Sequence, residues 1–256
     1  MPSFEEFLQA SPAGEGAWRF HIGHELHGAF GGAFGGFLAA ACVFTARSVA
    51  PGRVPNALDC RFVRGLREPG ATVTATVLHS GRSLTNVSLD LVDDDDKLCT
   101  RATVSLVDRD VLATFERSGP PPGDWKSHEE ASRWPALAPI VTAIDSRIVG
   151  EDDRHGVATA VHIPWDGSDT PAEAACIPAD MAVGPPVGGV TAGEKILSPN
   201  PDLSMRFCGE VTTPTVIGTG RLERASGGVA AVRVGVWSAG RLVALGMTTH
   251  LLLPQS

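Results

Sequence analysis

Acidic side chains set inside apolar runs are the positions in this sequence best suited to proton chemistry, and Asp180 is the clearest of them. It lies in Glu173-Ala174-Ala175-Cys176-Ile177-Pro178-Ala179-Asp180-Met181, whose other residues are nearly all small or apolar. Burial raises a carboxyl pKa toward neutrality, so such an Asp can accept a proton or orient a water. The competing reading is a structural cap or ion pair. Other constellations carry less. Glu25 between His24 and His27 gives H-E-x-H, one residue short of the H-E-x-x-H spacing that places two imidazoles on one helical face for zinc. The remaining histidines show no ligand spacing and default to surface or capping roles. No G-x-S-x-G nucleophile elbow occurs, and Cys42, Cys60, Cys99, Cys176 and Cys208 form no C-x-x-C. The run Asp93-Asp94-Asp95-Asp96 falls between two strand-like stretches, where a solvated turn is the expected reading rather than a metal site.

These residues must be positioned by a chain of 256 residues, long enough for one large domain or two small ones. The net charge is −8, with no block of basic residues, which argues against a nucleic-acid partner. Five widely spaced cysteines and a start, Met1-Pro2-Ser3-Phe4-Glu5-Glu6, without a basic segment predict free thiols in a reducing, cytoplasmic setting. With 29 Gly and 19 Pro the chain is too rich in turns for an all-helical bundle.

Gly28 to Ala46 runs nineteen residues without a charge, and Gly28/Gly32 and Gly32/Gly36 fit the G-x-x-x-G spacing of membrane helices. Five of the nineteen are Gly, which lowers hydrophobicity and helix propensity together, so a helix buried in a core is favoured over a membrane span. Glycines four apart admit a close backbone, and a sheet wrapped around the helix is the expected cover. Period-two alternation follows in Thr72 to Leu78, Leu84 to Val92 and Leu98 to Val107, read as antiparallel strands joined at Ser80-Gly81-Arg82 and at Asp93 to Lys97. From Glu116 to Pro139 the pattern breaks into a Pro- and Gly-rich connector.

The second half repeats the first. Arg61-Phe62 and Arg206-Phe207 are offset by 145, Ser80-Gly81 and Ser226-Gly227 by 146, and Lys97-Leu98 and Arg241-Leu242 by 144. The second helix is then expected around 173–191, with Asp180 at the position of about Gly35. The predicted division is an N-terminal unit at 1–115, a connector at 116–139 and a C-terminal unit at 140–256.

A duplicated unit of a Gly-rich buried helix followed by long antiparallel strands resembles the hotdog fold, and more closely the double-hotdog acyl-CoA thioesterase II family. The likeness is carried by Ala29-Phe30-Gly31-Gly32, Phe62-Val63-Arg64, Gly81-Arg82-Ser83, Ala179-Asp180, Asp202-Leu203-Ser204-Met205-Arg206-Phe207 and Gly240-Arg241-Leu242-Val243-Ala244, over roughly residues 15–255. It implies an α+β tandem hotdog, two curved antiparallel sheets each wrapping a central helix. It also implies a hydrolase of acyl-CoA in lipid metabolism, without cofactor or metal. Single hotdogs pair, and the tandem copy meets that need within one chain while leaving homo-oligomers open.

In that family an Asp, a Thr or Ser and a Gln hold the attacking water, which maps here onto Asp180, Asn200 and Thr248. Asn200 offers a donor and an acceptor, and Thr248 a single hydroxyl of shorter reach than Gln. For each, a polar residue at a strand edge is the competing reading. Gly31 and Gly32 are read as the start of the first helix, where unpaired amides and the dipole favour an oxyanion; close packing is their other reading. Arg61, Arg64, Arg67 and Arg82 cluster as cations for coenzyme A phosphates or as solvated strand ends. Because two of the three water-holding positions differ in type, the alternative is a degenerate site that binds an acyl thioester or hydrophobic metabolite without hydrolysing it. A hydratase ranks last, since a Gly-Asp-x-Asn-Pro-x-His signature is absent.

Overall fold

The computed structural model describes residues 1–113, 123, 125–134, 138–151 and 156–255. The first half contains α1 (Phe4–Phe7), β1 (Ser11–Gly14), β2 (Ala17–His21), α2 (Gly35–Ser48), β3 (Val54–Phe62), β4 (Gly70–Ser80), β5 (Leu84–Val92) and β6 (Leu98–Val107). The second contains β7 (Ser132–Arg133), α3 (Pro139–Ala143), β8 (Arg147–Glu151), β9 (Gly156–His162), α4 (Pro171–Met181) and α5 (Gly184–Val190). It continues through β10 (Ile196–Leu197), β11 (Asp202–Phe207), β12 (Thr215–Ser226), β13 (Val229–Ser238), β14 (Arg241–Leu251) and β15 (Leu253–Pro254). Much of the connector expected at 116–139 lies outside the described residues; of the rest, β7 pairs with β8 at the sheet edge.

The apolar run beginning at Gly28 becomes helical only at Gly35. Gly31 has φ +74°, Gly28 N–H donates to the Gly32 carbonyl, and the amides of Ala33 and Phe34 donate to the Leu66 and Leu26 carbonyls. Those backbone bonds tie the glycine segment to neighbouring loops and delay the helix. From Gly36 to Ala46 every residue of α2 is buried, as a helix apolar on all sides requires. Strand β5 alternates buried Thr85, Val87, Leu89 and Leu91 with half-buried neighbours, and α2 packs against β3, β4, β5 and β6.

The strand orders of the halves match. Read outward from the inner edge of each, the first runs β3-β6-β5-β4-β2 and the second β11-β14-β13-β12-β9. The repeated letters fall at equivalent places: Phe62 and Phe207 end β3 and β11, Ser80 and Ser226 end β4 and β12, and Leu98 and Arg241 open β6 and β14. Among the described residues the two expected sheets are joined into one antiparallel sheet of thirteen strands, because the open edges of β3 and β11 pair with each other, Asp202 opposite Arg61 through Arg206 opposite Ala57. Ion pairs Arg61–Asp202 and Arg206–Asp59 cross that seam.

The close cover over the α2 glycines also differs from expectation. A Cβ on Gly36 would stand 3.0 Å from the Cys176 carbonyl oxygen and 3.2 Å from Ile177 Cα, so a second helix, α4, takes the place assigned to a sheet. The second helical stretch spans the expected 173–191 but divides into α4 and α5 after Met181. Pro178 within α4 has no amide to return to the turn before it. On its other face α4 lies against β12, where Gly218 and Gly220 let the Pro178 and Ala182 carbonyls approach so closely that a methyl group would overlap them. The main core runs through both halves, with Trp165 of the second packed on Phe4, Phe7 and Phe37 of the first.

The four-aspartate run is a turn: Asp93 accepts from the amides of Asp95 and Lys97, and Asp96 has φ 59°. Among the described residues no cluster of His, Cys, Asp and Glu fits a metal, and no helix is long and apolar enough to cross a membrane. All five cysteines are free thiols, Cys208 alone being exposed.

Gly218→Ala must push α4 off the sheet and is expected to cost about 2–4 kcal/mol in urea unfolding. Gly188→Ala in α5, where a Cβ meets nothing within 4 Å, is the matched control and is expected to gain up to about 1 kcal/mol.

Candidate active site

The end of α4, the head of α2, α5, the turn after β3 and the loop between β10 and β11 enclose a cavity of about 870 Å³. Its wall is apolar where Leu38, Ile140, Val141 and Val183 line it, and polar at Asp180, Asn200 and His250. Phe30 and Val63, both exposed, also line it.

Asp180 is 5 % exposed in the last turn of α4. One carboxylate oxygen, Oδ2, accepts the Gly36 amide at 2.8 Å, and the other, Oδ1, accepts Asn200 Nδ2 at 2.7 Å. The first amides of a helix lack intrahelical partners, and the cap position of α2 is Phe34, whose side chain has no oxygen to offer. Asp180 therefore caps α2 from a neighbouring helix, where the dipole also favours its charge. Burial outweighs these contacts and raises its pKa to about 6, while Asn200, Gly36 and Gly35 pull in the other direction. A Cβ at Gly35 would stand 3.0 Å from Asp180 Oδ2 and closer still to the Phe62 ring, so glycine is required there. The expected equivalence of Asp180 with Gly35 fails, because Gly35 opens α2 whereas Asp180 lies in the last turn of α4.

Asn200 stands between Pro199 and Pro201 in a loop held by three backbone acceptors. The Pro199 carbonyl takes the Leu251 amide at 3.0 Å, the Pro201 carbonyl takes the Phe62 amide at 2.8 Å, and the Ser198 carbonyl accepts from the His250 ring at 2.6 Å. That anchoring aims the Asn200 amide at Asp180.

Thr248 is placed elsewhere. Its buried hydroxyl donates to the Asp202 carbonyl at 2.6 Å, while the Asp202 carboxylate takes the Thr249 amide at 2.7 Å. The pair clamps β14 to β11, and Thr248 does not line the cavity. Gly31 and Gly32 do not begin α2, as expected, but precede it in the looped segment; Gly32 lines the cavity. Of the clustered arginines Arg64 lines the cavity, and Arg61 is paired with Asp202.

Two buried ionisable groups escaped the sequence reading. His250 lines the cavity at 2 % exposure, and its pKa is lowered by burial against the Ser198 carbonyl, Asp202 and the Val183 carbonyl. The alternation of β14 placed it on the buried face with Thr248, a signal that the default surface role overrode. Glu173, wholly buried in the first turn of α4, has its pKa raised to about 7 by burial, opposed by Arg47 of α2 at 3.3 Å.

Comparison with known proteins agrees with this architecture. Residues 24–107 match the family described as the acyl-CoA thioesterase N-terminal domain. A hot dog fold protein from Alicyclobacillus acidocaldarius superposes with TM-score 0.81 at 20 % identity, covering 99 % of this chain and 98 % of its own. An acyl-CoA thioesterase II from Mycobacterium marinum gives 0.76 at 16 % identity, with 98 % of each chain covered. A TesB protein from Mycobacterium avium subspecies paratuberculosis gives 0.76 at 17 % identity, covering 96 % of this chain and 97 % of its own. No curated protein matches the sequence. The fold and its duplicated plan make the chain a double-hotdog protein. Within its N-terminal half, residues 24–107 are similar to the acyl-CoA thioesterase N-terminal domain.

A native pKa above the unfolded value means that the folded state binds the proton more tightly, so Asp180 lowers stability as pH rises through the interval from about 4 to about 6. Asp180→Asn lacks that titration. Across the interval the variant is expected to gain about 3 kcal/mol relative to the parent protein, read from paired urea melts at pH 4 and pH 7.

Proposed function

We propose that the protein hydrolyses acyl-CoA thioesters to the free acid and coenzyme A, with Asp180 drawing the proton from the attacking water. The observation that carries this reading is a carboxylate buried at the wall of a largely apolar cavity, held on both oxygens and with a pKa of about 6. Above that pH it is ionised and able to act as a base. Water oxygen bonds to the thioester carbonyl carbon, and the carbonyl electron pair moves to oxygen. Collapse of that adduct breaks the carbon–sulfur bond, and the proton taken by Asp180 passes to the departing sulfur.

Asn200 orients Asp180 and the water through its amide. Gly31 and Gly32, beside the head of α2, are the proposed amide donors to the developing oxyanion. The apolar wall of Leu38, Ile140, Val141 and Val183 receives the acyl group, and Arg64 stands where a phosphate-bearing portion can meet it. No step calls on a cofactor or metal. The proposed division is an N-terminal hotdog over 1–115, a connector over 116–139 and a C-terminal hotdog over 140–256; the matched strand orders of the halves support it. Five free thiols fit a reducing, cytoplasmic compartment.

Thiol release from short, medium, long and aromatic acyl-CoAs, followed with a chromogenic reagent and corrected for the protein's five cysteines, tests the reading. On the accepted substrates Asp180→Asn is expected to lower kcat by about 10²–10⁴. Unchanged turnover in a folded variant removes Asp180 from the chemistry. The pH profile of kcat/KM should rise through about 6, as the carboxylate loses its proton, and then level off.

A further inference from the structure

Beyond Thr248, strand β14 carries a polar group for which hydrolysis by Asp180 and Asn200 has no use. His250 follows by one full pleat, so its side chain shares the buried face. It lines the same cavity as Asp180 and Asn200. Its Nδ1 lies 2.6 Å from the Ser198 carbonyl oxygen. A carbonyl can only accept, so Nδ1 carries the hydrogen, and the neutral ring presents Nε2 as a bare acceptor. Among the described residues nothing donates to Nε2, although the atom is enclosed, and the Val183 carbonyl, the second backbone group acting on the ring, can only accept. A buried acceptor left unpaired is costly, which points to a donor supplied from outside the chain. Thr248 does not serve the cavity: its hydroxyl hydrogen goes to the Asp202 carbonyl, and the residue lies outside the cavity lining. Asp202 of β11, outside the cavity lining, is the charged group acting on the ring, and Asp180, Arg64 and Glu151 are the charged groups that line the cavity with the ring.

We propose that His250 Nε2 is the second acceptor for the reacting water, taking a hydrogen bond from it while Asp180 takes the proton. His250 then fills the place that the Thr248 hydroxyl leaves unfilled. The proposal rests on the thioesterase reading of the cavity, and its test is arranged so that the two can fail separately.

The two ring nitrogens can be removed one at a time. His250→Asn keeps a donor near Nδ1 for the Ser198 carbonyl and has nothing at Nε2. His250→Gln reaches the Nε2 position and gives up the Nδ1 donor. If Nε2 acts on the water, kcat/KM of His250→Asn falls about tenfold or more below that of His250→Gln, although His250→Asn melts at the higher temperature. If His250 is only an anchor for the Ser198 loop, activity follows stability, and His250→Asn equals or exceeds His250→Gln, which overturns the proposal.

Asp180→Asn is measured beside them and judges the thioesterase reading alone. Should the parent protein hydrolyse no acyl-CoA, that reading falls, and calorimetric affinity for a non-hydrolysable acyl-CoA thioether decides for His250. Weaker binding by His250→Asn than by His250→Gln supports a ligand-facing Nε2; equal or reversed order overturns it. A nitrogen NMR spectrum of the parent protein gives an answer that needs no variant to fold. The Nε2 resonance should start at the position of a bare acceptor and move when the thioether binds, and an unmoved resonance rejects the proposal.

Discussion

One buried carboxylate organises the site. Asp180 is withdrawn from water, and burial of a charge is costly unless hydrogen bonds replace the lost solvation. The head of α2 supplies part of that replacement through the Gly36 amide, and the Asn200 side chain supplies another part. The Gly36 contact does not survive a larger residue at Gly35, whose Cβ would stand 3.0 Å from Oδ2 of Asp180. The balance leaves the acid weaker than in water but still ionised at neutral pH, the condition a general base needs.

The rest of the architecture keeps those helices together. They run past each other so that the end of one meets the beginning of the other, with an acid at each junction: Asp180 on the amides of α2, and Glu173 beside Arg47. Gly218 and Gly220 let α4 settle on β12, while Gly36 lets α2 settle on α4. The seam between β3 and β11 joins the two halves of the sheet, and the Asp202 clamp on β14 holds the strand that carries His250. A substitution on the far side of α4 can therefore displace Asp180 by a fraction of an ångström and change the geometry of the cavity wall.

Much of this plan was legible in the letters. The offsets near 145 mark the ends and starts of equivalent strands, because each turn in a duplicated unit recurs with its turn residues. Asp180 stood out for a physical reason, a charged residue in a segment otherwise fit only for burial. The start of α2 was misread, since an uncharged Gly-rich run does not distinguish helix from a loop that spends its amides on distant carbonyls, as Ala33 and Phe34 do. Constant offset also failed in the helical region: it equated Asp180 with Gly35, where the duplicated elements differ in length and the two residues pack together. Thr248 and His250 share one face of one strand. Which of them reaches the cavity depends on Asp202 and Ser198, partners about fifty residues away in sequence, and local pattern is silent about those.

Joining both hotdogs in one chain has a consequence for how such a site can change. In a pair of identical subunits every substitution appears twice, so a residue useful at one junction must be tolerated at the other. Here each half varies by itself. The buried helix of one half carries Asp180 and Glu173, while the α2 core from Gly36 to Ala46 carries no charge at all. One half has become the bearer of the acid and the other the bearer of the amides that receive it. Specialisation of that kind is closed to a symmetric dimer, and a covalent link between the copies opens it.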